Sequence, residues 1–156
     1  MAADAATAVD AAARGRDEAD GFVPRILVLS TNNISDPGID LAGSSHMHYS
    51  PNVMVISVPC TSGIKPGWAL YAVQQGFDGV FVAADGDECA YLSDCSARTS
   101  QIMAAAQTLL VDHGYEPQRL RMAAICSVCA EPFTNYMHEF SAALTKLGPS
   151  RKASAA

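Results

Sequence analysis

The chain has 156 residues, of which 49% are hydrophobic, and a net charge of −6. This length suits one domain with a sizeable core, and the acidic balance leaves no basic surface for nucleic acid. The sequence has neither the roughly 18 apolar residues of a transmembrane helix nor a secretory signal, so we expect a cytoplasmic protein with no membrane contact.

The pattern along the chain predicts one α/β domain over residues 22–149. Residues 1–21 are rich in Ala and Asp and predict a flexible extension, and 150–156 predict a flexible tail. Short apolar runs predict strands at 25–30, 53–58, 79–84 and 121–125. Helical periodicity predicts helices at 66–75, 96–113 and 132–147, with a short helix near 40–46. This alternation predicts three layers, a parallel sheet of four or five strands with helices on both faces.

The cysteines give the strongest indication of function. Four of the five come just after predicted strands, namely Cys60, Cys89, Cys126 and Cys129. In a parallel sheet the residues that follow the strands share one rim, which is also where such sheets bind ligands. Gathered thiolates bind iron or zinc, or exchange electrons as a dithiol. The sequence therefore predicts a metal site formed by these four residues and no catalytic residue.

Two of these cysteines form a CxxC motif, Cys126-Ser-Val-Cys129, at a strand-to-helix junction. Two thiols at this spacing can bind one metal, act as a dithiol switch, or be two small buried residues. Cys95 begins the next predicted helix, and we interpret it as a packed residue rather than a fifth ligand.

Other polar and aromatic candidates have simpler interpretations. The acidic loop with Asp85, Asp87 and Glu88 is too irregular for a calcium loop and is interpreted as solvated. Trp68 and Tyr71 suit core packing of their helix. The stretch at the end of the first predicted strand and just after it is Ser30-Thr-Asn-Asn-Ile34. It is not the glycine motif that binds dinucleotides at this place.

Several motifs of this sequence resemble one known family. They are Gly38-Ile-Asp-Leu-Ala-Gly43, Tyr49-Ser-Pro-Asn52, Val58-Pro-Cys-Thr-Ser-Gly63, Gly76-Phe-Asp-Gly-Val-Phe-Val82, Asp87-Glu-Cys-Ala-Tyr91 and Leu147-Gly-Pro149. From residue 25 to 149 the chain resembles the delta subunit of methyl-viologen-reducing hydrogenase. The resemblance implies a non-catalytic subunit that carries a 2Fe–2S cluster. It also implies electron transfer between a hydrogenase or formate dehydrogenase and a flavin-containing, heterodisulfide-reductase-A-like partner.

The match to the family's cysteines is incomplete. Cys60 and Cys89 match family cysteines, but Ser30-Thr-Asn-Asn-Ile34 stands where the family has Cys-Cys-Asn-Trp-Cys. Cys126 and Cys129 stand where the family usually has other residues. Two hypotheses follow. Either Cys60, Cys89, Cys126 and Cys129 form a rebuilt cluster site, or the cluster is lost and the subunit serves as a docking element.

Overall fold

In the part of the chain that the structure describes, strands and helices alternate as predicted. The computed structural model describes residues 21–86, 89 and 91–150, so the predicted extension and tail lie almost wholly outside the described residues. The strands are β1 (Ile26–Thr31), β2 (Val53–Val58), β3 (Gly79–Ala84) and β4 (Leu120–Ala124). The helices are α1 (Ser35–Ser44), α2 (Pro66–Gln74), α3 (Cys95–Asp112) and α4 (Ala130–Leu147).

The four strands form one parallel sheet in the order β2–β1–β3–β4. The central strands β1 and β3 are buried along their whole length, which explains why their sequences are apolar without alternation. Helices α1 and α4 pack on one face of the sheet, and α2 and α3 pack on the other. The predicted three-layer α/β fold is confirmed, and it leaves β2 and β4 at opposite edges.

Helix α4 shows how the sequence periodicity becomes packing. It buries Phe133, Met137, Phe140 and Leu144, whose spacing of three and four residues places them on one side of the helix. The sequence predicts the same four residues as the buried face. None of the helices in the described ranges is both long and apolar enough to span a membrane.

The first helix begins earlier than predicted. The sequence predicts a short helix near 40–46, whereas α1 starts at Ser35. The Ser35 hydroxyl accepts a hydrogen bond from the Thr31 backbone N–H at 2.7 Å and donates one to the Ala83 carbonyl at 2.9 Å. These bonds fix the chain as it leaves β1, so the helix forms within a stretch whose composition is typical of loops.

The predicted core role of Trp68 and Tyr71 is wrong. Their side chains are 46% and 64% exposed, because α2 turns its small residues Ala69 and Ala72 toward the sheet. Small residues let the helix approach the strands closely, and the aromatic rings are left on the outer side.

Gly79 is required by the close packing of α4 on β3. A methyl group there would lie 2.6 Å from Leu144 Cδ1 and 2.7 Å from Phe140 Cζ. We expect Gly79→Ala to lower the free energy of unfolding by about 1–3 kcal/mol through overpacking, measured by urea denaturation. Gly43→Ala is the control, because nothing lies within 4 Å of that position. A Gly79→Ala protein as stable as the control would contradict the packing.

Candidate functional site

Three cysteines meet at the end of the sheet rim nearest β2. Cys60 follows β2, and its sulfur lies 3.8 Å from the sulfur of Cys95, the first residue of α3. Cys89, from the loop between β3 and α3, lies close enough to Cys95 to raise the pKa of that thiol. These three residues, Cys60, Cys89 and Cys95, are the thiol cluster. Cys60 and Cys89 are half-buried, and Cys95 is buried.

The sulfur–sulfur distance suits two ligands of one tetrahedral metal. When each sulfur lies about 2.3 Å from such a metal, the two sulfurs are about 3.8 Å apart. Within the described ranges, no three His, Cys, Asp or Glu side chains are close enough to hold one metal ion. A two-iron cluster does not require such a group, because its four thiolates are shared between two irons. Cys60 and Cys95 therefore fit one iron of such a cluster.

Hydroxyl groups hold the buried thiol in place. Thr99 donates a hydrogen bond of 2.8 Å to the carbonyl of Cys95, and its Oγ1 lies 3.1 Å from Thr61 Oγ1. Thr61 Oγ1 in turn lies 3.9 Å from the Cys95 sulfur. Both threonines are buried. Because Thr61 belongs to the 3-10 turn Thr61–Gly63 that follows Cys60, these contacts join that turn to the start of α3.

The two neighbouring thiols differ in acidity. The hydrogen bond from the Ser62 hydroxyl, 2.9 Å from the Cys60 sulfur, lowers the pKa of Cys60 below its usual range. Burial raises the pKa of Cys95, and the contacts with Cys60 and Cys89 raise it further. Cys60 is therefore the first of the pair to become a thiolate, the form that binds metal or attacks a disulfide.

We expect Ser62→Ala to raise the pKa of Cys60, because the thiolate loses its hydroxyl donor. The rate of Cys60 alkylation by iodoacetamide in metal-free protein should then rise at a higher pH than in the unmodified chain. Peptide mass spectrometry would follow Cys60 separately from the other thiols. Ser100→Ala is the control, because Ser100 bonds within its own helix. An unchanged pH profile for Ser62→Ala would contradict this assignment.

Cys126 and Cys129 lie at the other end of the rim. The structure joins them in a disulfide, with their Cα atoms 4.9 Å apart. They follow β4, which β1 and β3 separate from β2. The two edge strands are therefore three strand spacings apart, which is about 14 Å in all. The structure thus brings Cys60 and Cys89 to Cys95, and pairs Cys126 with Cys129. The four-cysteine ligand set stays a prediction.

A hydrogen-bonded network fills the rim between the two cysteine sites. Ser30 donates a 2.7 Å bond to the carboxylate of Asp36, which also accepts a bond from Ser57. Thr31 donates to the carboxylate of Asp85. Asp85 is buried, which corrects its interpretation as part of a solvated loop; Asp87 and Glu88 lie outside the described residues. These polar groups are satisfied by one another rather than directed at a ligand.

Comparison with known proteins shows the family of this chain. A model of the family described as methyl-viologen-reducing hydrogenase, delta subunit, matches residues 26–148. The chain belongs to this delta-subunit family. The match spans the whole sheet and all four helices, so it includes both cysteine sites.

Curated relatives of the delta-subunit family fall into two groups. An iron-sulfur subunit of F420-non-reducing hydrogenase from Archaeoglobus profundus is 32% identical over 131 residues, which are 81% of this chain and 92% of the relative. The corresponding iron-sulfur subunit from Methanococcus maripaludis is 35% identical over 70% of this chain and 82% of the relative. The A-type subunit of ferredoxin:CoB-CoM heterodisulfide reductase from Methanosarcina mazei is 33% identical over 81% of this chain but only 16% of its own length.

The comparison places this delta-subunit family member among subunits of redox complexes. The end of β1 is where the sequence departs from the cysteine motif that the resemblance implies. Ser30 and Thr31 stand there, and both are fully buried and hydrogen-bonded. Hydroxyl–carboxylate bonds thus occupy the β1 end of the rim. Cys95 is the site residue that sequence reasoning did not select, although its place just after the β3 loop puts it on the same rim.

Proposed function

We propose that the protein is a small electron-transfer subunit of a cytoplasmic multi-subunit redox complex, and that it relays electrons through an iron–sulfur cluster. The observation that carries the proposal is the thiol cluster, in which the sulfurs of Cys60 and Cys95 lie 3.8 Å apart and Cys89 lies near Cys95. The cluster type implied by the resemblance is 2Fe–2S. When bound, it supplies a carrier that takes up and releases single electrons.

The residues of the thiol cluster fit most of such a site. Cys60 and Cys95 would hold one iron, and Cys89 would be a ligand of the other. A standard 2Fe–2S site uses four thiolates, so the gathered set has one fewer. The sequence predicts Cys126 and Cys129 as further ligands of the cluster. Iron analysis of variants at these two positions tests whether either of them binds it.

The position of the thiol cluster suits transfer to a partner. Cys60 and Cys89 are half-buried at the rim, whereas Cys95 beneath them is buried. One side of a bound cluster would thus face the protein interior, and the other would lie near the surface where a redox partner can dock. The hydroxyls of Thr61 and Ser62 would provide hydrogen bonds to the sulfurs, the kind of contact that tunes cluster potentials.

The proposed partner is a flavin-containing, heterodisulfide-reductase-A-like subunit, together with other redox subunits. In the A-type reductase subunit from Methanosarcina mazei, the segment similar to this chain makes up 16% of the protein. A domain that occurs fused within such a reductase subunit in one organism is a natural partner for that type of subunit when it occurs as a separate chain. This similarity supports the partner assignment.

A second candidate function is a cluster-free docking subunit of the same complex. The observation that favours it is the hydrogen-bonded network at the β1 end of the rim, where Ser30 and Thr31 stand in place of the cysteines that the resemblance implies. Both candidates predict assembly with redox partners. They differ in whether the subunit changes its electronic state during turnover.

Spectroscopy of anaerobically purified protein separates the two candidates. We expect visible absorption that is bleached by dithionite, a paramagnetic signal in the reduced state, and recovery of the absorption with a one-electron acceptor of higher potential such as ferricyanide. Protein that assembles with its partners but shows neither the absorption nor the signal would contradict the relay and support the docking function.

A further inference from the structure

The Cys126–Cys129 pair is open to solvent in a way that most structural disulfides are not. It lies in the short turn between β4 and α4, and both cysteines are only half-buried. Ser127 is exposed, and the side chain of Val128 is 75% exposed. Exposed disulfides are more readily reduced than buried ones, so a thiol reagent can reach this bond without unfolding the domain.

The backbone around the pair is held firmly on both sides. The Cys129 N–H donates a 3.1 Å hydrogen bond to the Cys126 carbonyl, and the preceding Ile125 N–H donates one of 2.9 Å to Ala84. Gly38 of α1 lies so close that a methyl group there would overlap the Cys126 carbonyl oxygen. This frame does not depend on the S–S bond, so the two thiols would stay adjacent after reduction and could close again.

The two sulfurs are not equivalent. Cys129 occupies the N-cap position of the 18-residue helix α4 and packs against the core between α1, α4 and the sheet. The positive end of a helix dipole stabilises a thiolate, although the Glu131 carboxylate in the first turn opposes part of this effect. Cys126 precedes the turn and is not among the residues that pack on that core. Cys126 is therefore the sulfur open to attack, and Cys129 is the better leaving group.

We propose that Cys126 and Cys129 form a reversible two-electron dithiol–disulfide site that exchanges with a dithiol donor. A thiolate of the donor attacks the sulfur of Cys126, the S–S bond breaks, and Cys129 leaves as a thiolate that takes a proton. The donor's second thiol then attacks the mixed disulfide and releases Cys126 as a thiol. The donor becomes a disulfide, and this chain gains two electrons and two protons.

A purely structural role explains the bond less well. A link between residues three apart closes a very short loop, and the stabilisation from a disulfide grows with the length of the loop it closes. In the cytoplasm, where we expect this protein, disulfides are usually transient and redox-active. The site is separate from the thiol cluster, so the inference does not depend on whether iron is bound there.

Dithiothreitol and peptide mass spectrometry test the proposal on the full folded chain. The native protein is equilibrated in mixtures of reduced and oxidised dithiothreitol, its thiols are blocked with N-ethylmaleimide, and the 126–129 peptide is quantified in each state. We expect that peptide to change between dithiol and disulfide in both directions under native conditions. Reduction only in denaturant, or no re-formation of the bond, would overturn the proposal.

Trapping of the first mixed disulfide tests the order of the steps. The oxidised protein is treated with reduced glutathione and quenched at once with N-ethylmaleimide, and the 126–129 peptide then shows which cysteine carries glutathione and which carries the maleimide. We expect glutathione at Cys126 and the maleimide at Cys129. Equal amounts of the two products, or the reverse pattern, would overturn the assignment of Cys126 as the attacked sulfur. Iron loss from the Cys126→Ala/Cys129→Ala protein would assign the pair to the cluster instead, which overturns this inference but leaves the proposed relay function standing.

Discussion

Replacing Cys60 and Cys95 together with alanine should remove the bound iron and the electron-relay activity. Their sulfurs lie 3.8 Å apart, which is the spacing of two thiolates bound to one tetrahedral metal. We expect the iron content per chain to fall by more than about tenfold, since even outer-shell changes at metal sites cost about 10–100-fold in affinity. Iron analysis and visible absorption of the anaerobically purified variant would measure the loss.

The matched control for this variant is Cys126→Ala/Cys129→Ala. It also removes two thiols, but at the opposite edge of the sheet. We expect this control to keep its iron. A Cys60→Ala/Cys95→Ala protein that retains iron at the level of the unmodified chain, while folding normally by circular dichroism, would show that the thiol cluster is not the iron site.

The largest expected effect on stability is at Arg119. Its side chain is only 1% exposed. It donates hydrogen bonds to the carbonyls of Asp78, Gly148 and Pro149. It also forms an ion pair with Glu116 at 2.6 Å. These bonds tie the segment that follows α4 to the sheet. Arg119→Met keeps much of the volume but leaves three carbonyls without their donor. Because each buried acceptor left without a partner costs about 1–3 kcal/mol, we expect a loss of about 3–5 kcal/mol in the free energy of unfolding, measured by urea denaturation.

Glu116→Gln provides the comparison for Arg119→Met. Glu116 is 42% exposed, so its substitution should cost much less than the loss of the arginine. The hydrogen bond from Arg119 lowers the pKa of Glu116, so its contribution to stability is present above the unfolded-state pKa and is lost as pH falls through the lowered one. Glu116→Gln should remove that part of the acid dependence. An Arg119→Met protein no less stable than Glu116→Gln would contradict the role of the arginine.

The fold could be predicted because its central strands are buried on both faces. The apolar runs in β1 and β3 indicate strands that are buried on both faces. The regular spacing of apolar residues from Phe133 to Leu144 indicates a helix with one buried face. The start of α1 could not be predicted, because it depends on hydrogen bonds between Ser35 and residues on two different strands. Such tertiary contacts leave no periodic signal in the sequence.

The candidate site was harder to predict than the fold, since the sequence does not contain the strand order. The cysteines do follow strands, as expected, but residues that follow different strands of a four-stranded sheet can still lie far apart along the rim. The order β2–β1–β3–β4 places Cys60 and Cys126 at its opposite ends. Cys95 joins Cys60 because α3 starts beside the loop that follows β2, through Thr61 and Thr99. Only the packing of α3 reveals this contact, so the residue could not be chosen from its position alone.

Iron and acid-labile sulfide, measured per chain in protein isolated anaerobically with its natural complex, test the central claim most directly. An electron relay through the thiol cluster predicts both elements in equal amounts, about two of each per chain for a 2Fe–2S cluster. Protein that is fully assembled with its partners but contains neither iron nor sulfide would contradict the relay.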